Sequence, residues 1–154
     1  VEAGVASVEA IDAALREAGF PLGPFELMDL AGLDVNLAAA RGIWEGLGRP
    51  ERLRPSTLPE RLVADGRLGR KTGGGFYRYG EAGRGAVDPA FAGGPTTLGA
   101  TEIRDRILSA IVAEARLAAG EGVATEGEID LAMRLGAGHP AGPFERAAAP
   151  TIDP

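Results

Sequence analysis

Val5–Glu26 reads VASVEAIDAALREAGFPLGPFE, and Val123–Glu145 reads VATEGEIDLAMRLGAGHPAGPFE. With one extra residue admitted before Pro140, eleven of 22 aligned positions are identical. Both copies run Val-Ala-Ser/Thr, then Ile-Asp, then an Arg four residues after the Asp, then Pro-x-Gly-Pro-Phe-Glu. Chance does not preserve that order of polar, apolar and turn residues. The chain is a tandem duplication of one supersecondary unit.

Within the unit, Ser7 is placed to cap a helix whose apolar positions are Val8, Ile11, Leu15 and Ala18, and Gly19 ends it. The second copy has Thr125 as cap and Glu128 three positions on, a capping box. Its apolar stripe is Ile129 and Met133. Asp12–Arg16 and Asp130–Arg134 are spaced as ion pairs one turn apart on the outer face, worth about 0.3–0.5 kcal/mol each. Gly23-Pro24 and Gly142-Pro143 each suit a helix start, since proline at the first helical position loses no needed N–H.

Beyond the first copy, Gly32 is a break and Asp34 a new cap. Val35, Ala39, Ile43 and Leu47 then form a second stripe ending at Gly48. Thr57-Leu-Pro-Glu60 predicts another capping box and a short helix to about Asp65. Gly66–Tyr79, GRLGRKTGGGFYRY, is a glycine-rich loop closing on aromatics. Gly80–Gly99 is rich in Gly and Pro and predicts an irregular connector. Glu102–Ala118 is the cleanest helix, with Ile103, Ile107, Ile111 and Ala115 on one stripe. No segment alternates as a strand should; Phe76–Tyr79 comes nearest. The division is therefore residues 1–79 as the first copy, lacking its first helix, 80–99 as connector, and 100–154 as a shorter second copy. The chain reads as beginning inside its first unit, with a helix or domain expected before it.

Composition narrows the function classes. The 154 residues carry a net charge of −6, which disfavours nucleic acid or an anionic membrane as main partner. With no cysteine and one histidine, His139, thiol nucleophiles, thiolate zinc sites and multi-histidine metal sites are excluded. No run approaches the roughly 20 apolar residues of a membrane span, and Val1–Gly4 has no signal-peptide character. A soluble cytoplasmic protein is expected.

Local chemistry is sparse. Gly66–Thr72 fails the spacing of a phosphate loop and follows a helix, not a strand. Gly83-Arg-Gly85 has no apolar strand before it, so it is no dinucleotide fingerprint. His139 sits in a turn where the first copy has Phe20, with no orienting carboxylate nearby in sequence, which favours packing over base catalysis. Glu26, Asp29 and Asp34 lie near helix starts, where capping and dipole roles account for them. The elements Pro21-Leu-Gly-Pro24-Phe-Glu and Pro140-Ala-Gly-Pro143-Phe-Glu can form either a ligand wall or a tight helix corner, because glycine admits close backbone approach.

GFPLGPFELMDLAGLD at Gly19–Asp34, GRLGRKTGGGFYRY at Gly66–Tyr79 and the second copy at Arg106–Glu145 together resemble the C-terminal domain of the 3-hydroxyacyl-CoA dehydrogenases, in its bacterial two-repeat form. The resemblance implies an all-α, tandem-repeat helical domain with a fold like the 6-phosphogluconate dehydrogenase C-terminal domain. It implies dimerisation and closure over a separate Rossmann domain that binds NAD and carries the catalytic His–Glu pair. No catalytic, NAD-binding or metal-binding residue of the family maps onto this chain: His139 does not match the family's catalytic His, and Asn36 does not match its substrate-contacting Asn. What carries over is a wall near the acyl-thioester end: Phe20, Pro21, Gly23, Pro24 and Phe25. The expected partners are a second copy of the chain, the Rossmann domain and an acyl-CoA. NAD belongs to the parent enzyme, with no cofactor on this chain. The rival reading is a stand-alone helical dimerisation or acyl-CoA-binding module. A homodimer is further expected because the stripe of Val8, Ile11 and Leu15 lacks the helix that would cover it.

Overall fold

The computed structural model describes residues 1–92 and 96–148. The described residues form seven α-helices and one two-stranded antiparallel sheet. They fall into two compact units: Val1–Asp12 with Leu22–Thr97, and Ala13–Pro21 with Leu98–Pro154. The boundary runs through the first helix, so the units do not coincide with the two sequence copies.

The first unit takes the opening residues of helix α1 (Val8–Glu17), then α2 (Pro24–Ala31), α3 (Leu33–Gly46), α4 (Thr57–Ala64) and strands β1 (Tyr77–Gly80) and β2 (Gly83–Val87). As expected, the Ser7 hydroxyl accepts the Ala10 N–H at 3.2 Å and starts α1. Pro24 opens α2. Val8, Leu33, Leu62, Phe76, Tyr77 and Val87 are buried together, with Phe25, Met28, Leu58 and Phe91 packed against them.

Four expectations in this unit need correction. The cap of α4 is Ser56, whose hydroxyl accepts the Leu58 N–H at 3.2 Å. Thr57 is instead the first helical residue, so Glu60 falls one position beyond the place of a box partner. The Thr57 hydroxyl donates to Glu2 at 2.7 Å. The supposedly irregular connector contains β2, which pairs with β1 and buries Val87. The stripe Val35, Ile43 and Leu47 faces outward at 55–57% exposure, and α3 packs instead through Leu33 and Leu37. Finally, the stripe on α1, whose Leu15 belongs to the second unit, is not uncovered: Val8 and Leu15 are 0% and 3% exposed.

The second unit combines the end of α1 with α5 (Ala100–Gly120), α6 (Glu126–Gly136) and α7 (Pro143–Ala148). Ala14, Leu15, Ile103 and Ala115 are buried in it, as is Pro143. The predicted capping box is present: Glu128 N–H to Thr125 Oγ1 at 3.4 Å and Thr125 N–H to Glu128 Oε2 at 2.9 Å. These bonds hold the Glu128 carboxyl below its ordinary value.

Candidate functional site

The duplicated corner is built around a buried carboxylate. Asp12 on α1 is 0% exposed. Its two oxygens accept the N–H groups of Phe25 at 2.9 Å and Glu26 at 3.1 Å, the first free amides of α2. Helix N-termini leave such donors unsatisfied, and a carboxylate complements their partial positive charge. Gly23 has no side-chain cap of its own, and a β-carbon there would collide with Asp12. Glycine is therefore required at this position by space.

The second copy repeats this atom for atom. Asp130 accepts Phe144 N–H at 2.8 Å and Glu145 N–H at 2.9 Å, and a β-carbon at Gly142 would strike Asp130. The sequence reading of Asp12 and Asp130 as outer-face residues is thus corrected. Both point inward as remote caps of the next helix. Arg134 bonds Glu145 at 2.8 Å, and Glu145 also accepts the Gly142 N–H at 2.8 Å. Those two bonds hold the Glu145 carboxyl low.

The first copy adds a second layer. Asp29 is fully buried and accepts Phe76 N–H at 3.0 Å, Tyr77 N–H at 2.8 Å and the Tyr79 hydroxyl at 3.2 Å. Burial still pushes its pKa up, against the pull of those donors. The Tyr79 hydroxyl is likewise raised, by burial first and then by the Asp29 charge. β-Carbons at Gly69 and Gly75 would collide with Asp29, which explains two glycines of the Gly66–Tyr79 loop. Tyr77 then donates its hydroxyl to Asp12 at 2.8 Å, tying both carboxylates to one hairpin. Asp34 pairs with Lys71 at 2.6 Å, which lowers its pKa. Asp29 is no dipole residue; it anchors the hairpin. The clue was available as a carboxylate and a run of glycines in one chain, but nothing local links residues 47 apart.

The expected wall divides between the units. Phe20 and Pro21 belong to the second, and Gly23, Pro24 and Phe25 to the first. Phe25 packs edge-on to Phe76, ring centroids 4.6 Å apart. Gly23 is buried against Asp12, while Pro21 is exposed and Pro24 and Phe20 half-buried. Phe144, the counterpart of Phe25, lines an open hollow of about 710 Å³ with Arg116, Val123 and Thr125. His139 meets Phe20 edge to face, and burial with the nearby Arg146 charge lowers its pKa. Among the described residues, no three His, Asp or Glu side chains are placed to hold a metal. Among the same residues, no helix is long and apolar enough to cross a membrane.

The family described as 3-hydroxyacyl-CoA dehydrogenase, C-terminal domain, matches residues 1–79 and 103–153. The chain belongs to this family. The 3-hydroxyadipyl-CoA dehydrogenase of Escherichia coli is 48% identical over 80 residues, 51% of this chain and 17% of that protein. The human mitochondrial hydroxyacyl-coenzyme A dehydrogenase is 45% identical over 80 residues, 51% of this chain and 25% of that protein. The solved 3-hydroxybutyryl-CoA dehydrogenase of E. coli superposes with a TM-score of 0.78 at 29% identity, over 96% of this chain and 48% of that one. The chain thus spans less than half the length of these relatives, and what it matches is their C-terminal, mostly helical part. The family is one of NAD-dependent dehydrogenases.

Proposed function

We propose that this chain is the C-terminal portion of an NAD-linked enzyme that oxidises an L-3-hydroxyacyl-CoA to the 3-oxoacyl-CoA, contributing association between copies and part of the substrate cleft. The carrying observation is the family match over both copies, in a chain whose carboxylates are committed to holding helices. Asp12, Asp29 and Asp130 spend their oxygens on backbone N–H groups and tyrosine hydroxyls. That leaves them poorly suited to take a substrate proton. Hydride transfer needs the nicotinamide held against the substrate carbon, a task assigned here to a separate Rossmann domain.

Within this reading Phe20, Pro21, Gly23, Pro24 and Phe25 contribute to the wall near the acyl-thioester end; in the first unit, Gly23 lies against Asp12 and Phe25 against Phe76. Association between copies is assigned to the exposed apolar face of α2 and α3, Leu27, Leu30, Val35, Ile43 and Leu47. The test is reconstitution. A Rossmann domain of the same family is mixed with this chain, NAD and 3-hydroxybutyryl-CoA, and NADH is followed by absorbance. Turnover that depends on both parts, with KM raised by Pro21→Ala, supports the proposal. Activity of the added domain unaffected by this chain contradicts it and favours a stand-alone helical module.

A further inference from the structure

Two hollows of the second unit share one arginine. The first is the open hollow at Phe144, about 710 Å³, whose lining also includes Arg116, Val123 and Glu126. The second is about 480 Å³ and runs beside α5, with Arg104, Leu108, Val112 and Arg116 on that helix and Arg146 on α7. Arg116 borders both. In the first copy the same positions are covered. Phe25, the counterpart of Phe144, lies against Phe76 with ring centroids 4.6 Å apart, and Val8, the counterpart of Glu126, is 0% exposed. An open ring with an exposed carboxylate beside it therefore distinguishes the second copy.

The chain carries a net charge of −6, yet the second hollow has three arginines against one carboxylate, Asp105, among the described residues. Arg104 is spent on Asp105 at 2.8 Å. Among the described residues no carboxylate pairs with Arg116 or Arg146. Arg146 lies 5.7 Å over the Phe20 ring, which takes the face of the guanidinium and leaves its in-plane N–H groups to bond an anion. Two guanidinium groups on one groove suit linked phosphates, whose oxygens accept paired N–H bonds. The first hollow calls for a different chemistry. Phe144 offers a ring face for stacking, and Glu126 would repel an anion but accept an amino N–H. We infer that the two hollows together bind a nucleoside diphosphate, with its phosphates on Arg116 and Arg146 and an amino-bearing base on Phe144, the amino group toward Glu126. The ligand is either a free nucleotide or the same group at the head of a longer carrier. This inference does not depend on the dehydrogenase reading.

The test is calorimetric titration of the whole chain with ADP, inosine diphosphate, inorganic pyrophosphate and coenzyme A. ADP is expected to saturate one site and to bind about tenfold more tightly than pyrophosphate, which lacks the base. Inosine diphosphate, which lacks the amino group, is expected to fall between them. Arg116 is exposed, so Arg116→Gln should fold as the parent does, and it is expected to weaken ADP about tenfold. Arg106 lines neither of these hollows, and Arg106→Gln is expected to change ADP affinity by less than about twofold. Coenzyme A binding more tightly than ADP would identify a carrier as the ligand, and ADP binding as tightly or better would identify the free nucleotide. Equal affinities for ADP and pyrophosphate, ADP affinity untouched by Arg116→Gln, equal losses in the two arginine variants, or no saturable binding of any probe would each overturn the site.

Discussion

Asp12 and Gly23 form a pair in which neither residue can change alone. Gly23 has φ −73° and ψ 160°, a conformation open to any residue, so strain does not demand glycine there. Space does, because a β-carbon would enter the Asp12 carboxylate. Gly23→Ala is expected to cost about 1–3 kcal/mol through overpacking and displaced N–H bonds. Gly142→Ala should cost a similar amount against Asp130. Urea unfolding of each variant measures this, and unchanged midpoints would show that Asp12 and Asp130 are not the pivots of the two corners. His139 supplies a prediction of another kind. Its folded pKa lies below the unfolded value of about 6.5. A group depressed in this way contributes stability above its unfolded pKa and loses it as pH falls. The carboxylates held low, Asp34, Asp88, Glu128 and Glu145, act in the same direction but at more acid pH. Between pH 7.5 and 5.5 the chain should therefore lose stability through His139, and His139→Phe should remove that loss. Equal pH slopes in parent and variant would contradict this.

The helices and their order were legible in the apolar spacing, and so were Ser7, the Thr125–Glu128 box and the Pro24 and Pro143 starts. What periodicity could not supply was direction. The stripe of Val35, Ile43 and Leu47 has helical spacing whether it faces in or out, and α3 carries Leu33 and Leu37 on a different face. The Asp12–Arg16 spacing matched a surface pair for the same reason, while the burial of Asp12 depends on donors from α2. Strand β2, GRGAV, has no alternation to reveal it, because β1 recruits it by backbone pairing. The hairpin makes the most testable contribution among the elements. Phe76 is 0% exposed, touches Phe25 and Phe91, and precedes the tyrosine that reaches Asp12. Phe76→Ala is expected to lose about 3–5 kcal/mol of stability, read by thermal or urea unfolding. A loss under about 1 kcal/mol would mean that the hairpin is not the keystone of the first unit. On α3, Ile43→Asp replaces a side chain 57% exposed, so folding should change by less than about 0.5 kcal/mol. Self-association should nevertheless weaken by sedimentation velocity. An Ile43→Asp chain that associates like the parent would remove this face from the proposed dimer.

For the chain as a whole, the proposed wall residues rest on the resemblance alone. Physical reasoning on the sequence could not choose between ligand wall and helix corner. The structure adds that the corner is carboxylate-held in both copies, which explains the shared motif without invoking a reaction. In the proposed function this chain supplies scaffold and cleft while the chemistry lies in a partner domain. The most direct measurement is a turnover assay of the purified chain alone with NAD and 3-hydroxybutyryl-CoA, following NADH absorbance. No rate above background is expected for the parent chain. NADH formation that disappears in His139→Ala would contradict it, because it would place the proton-accepting base on this chain.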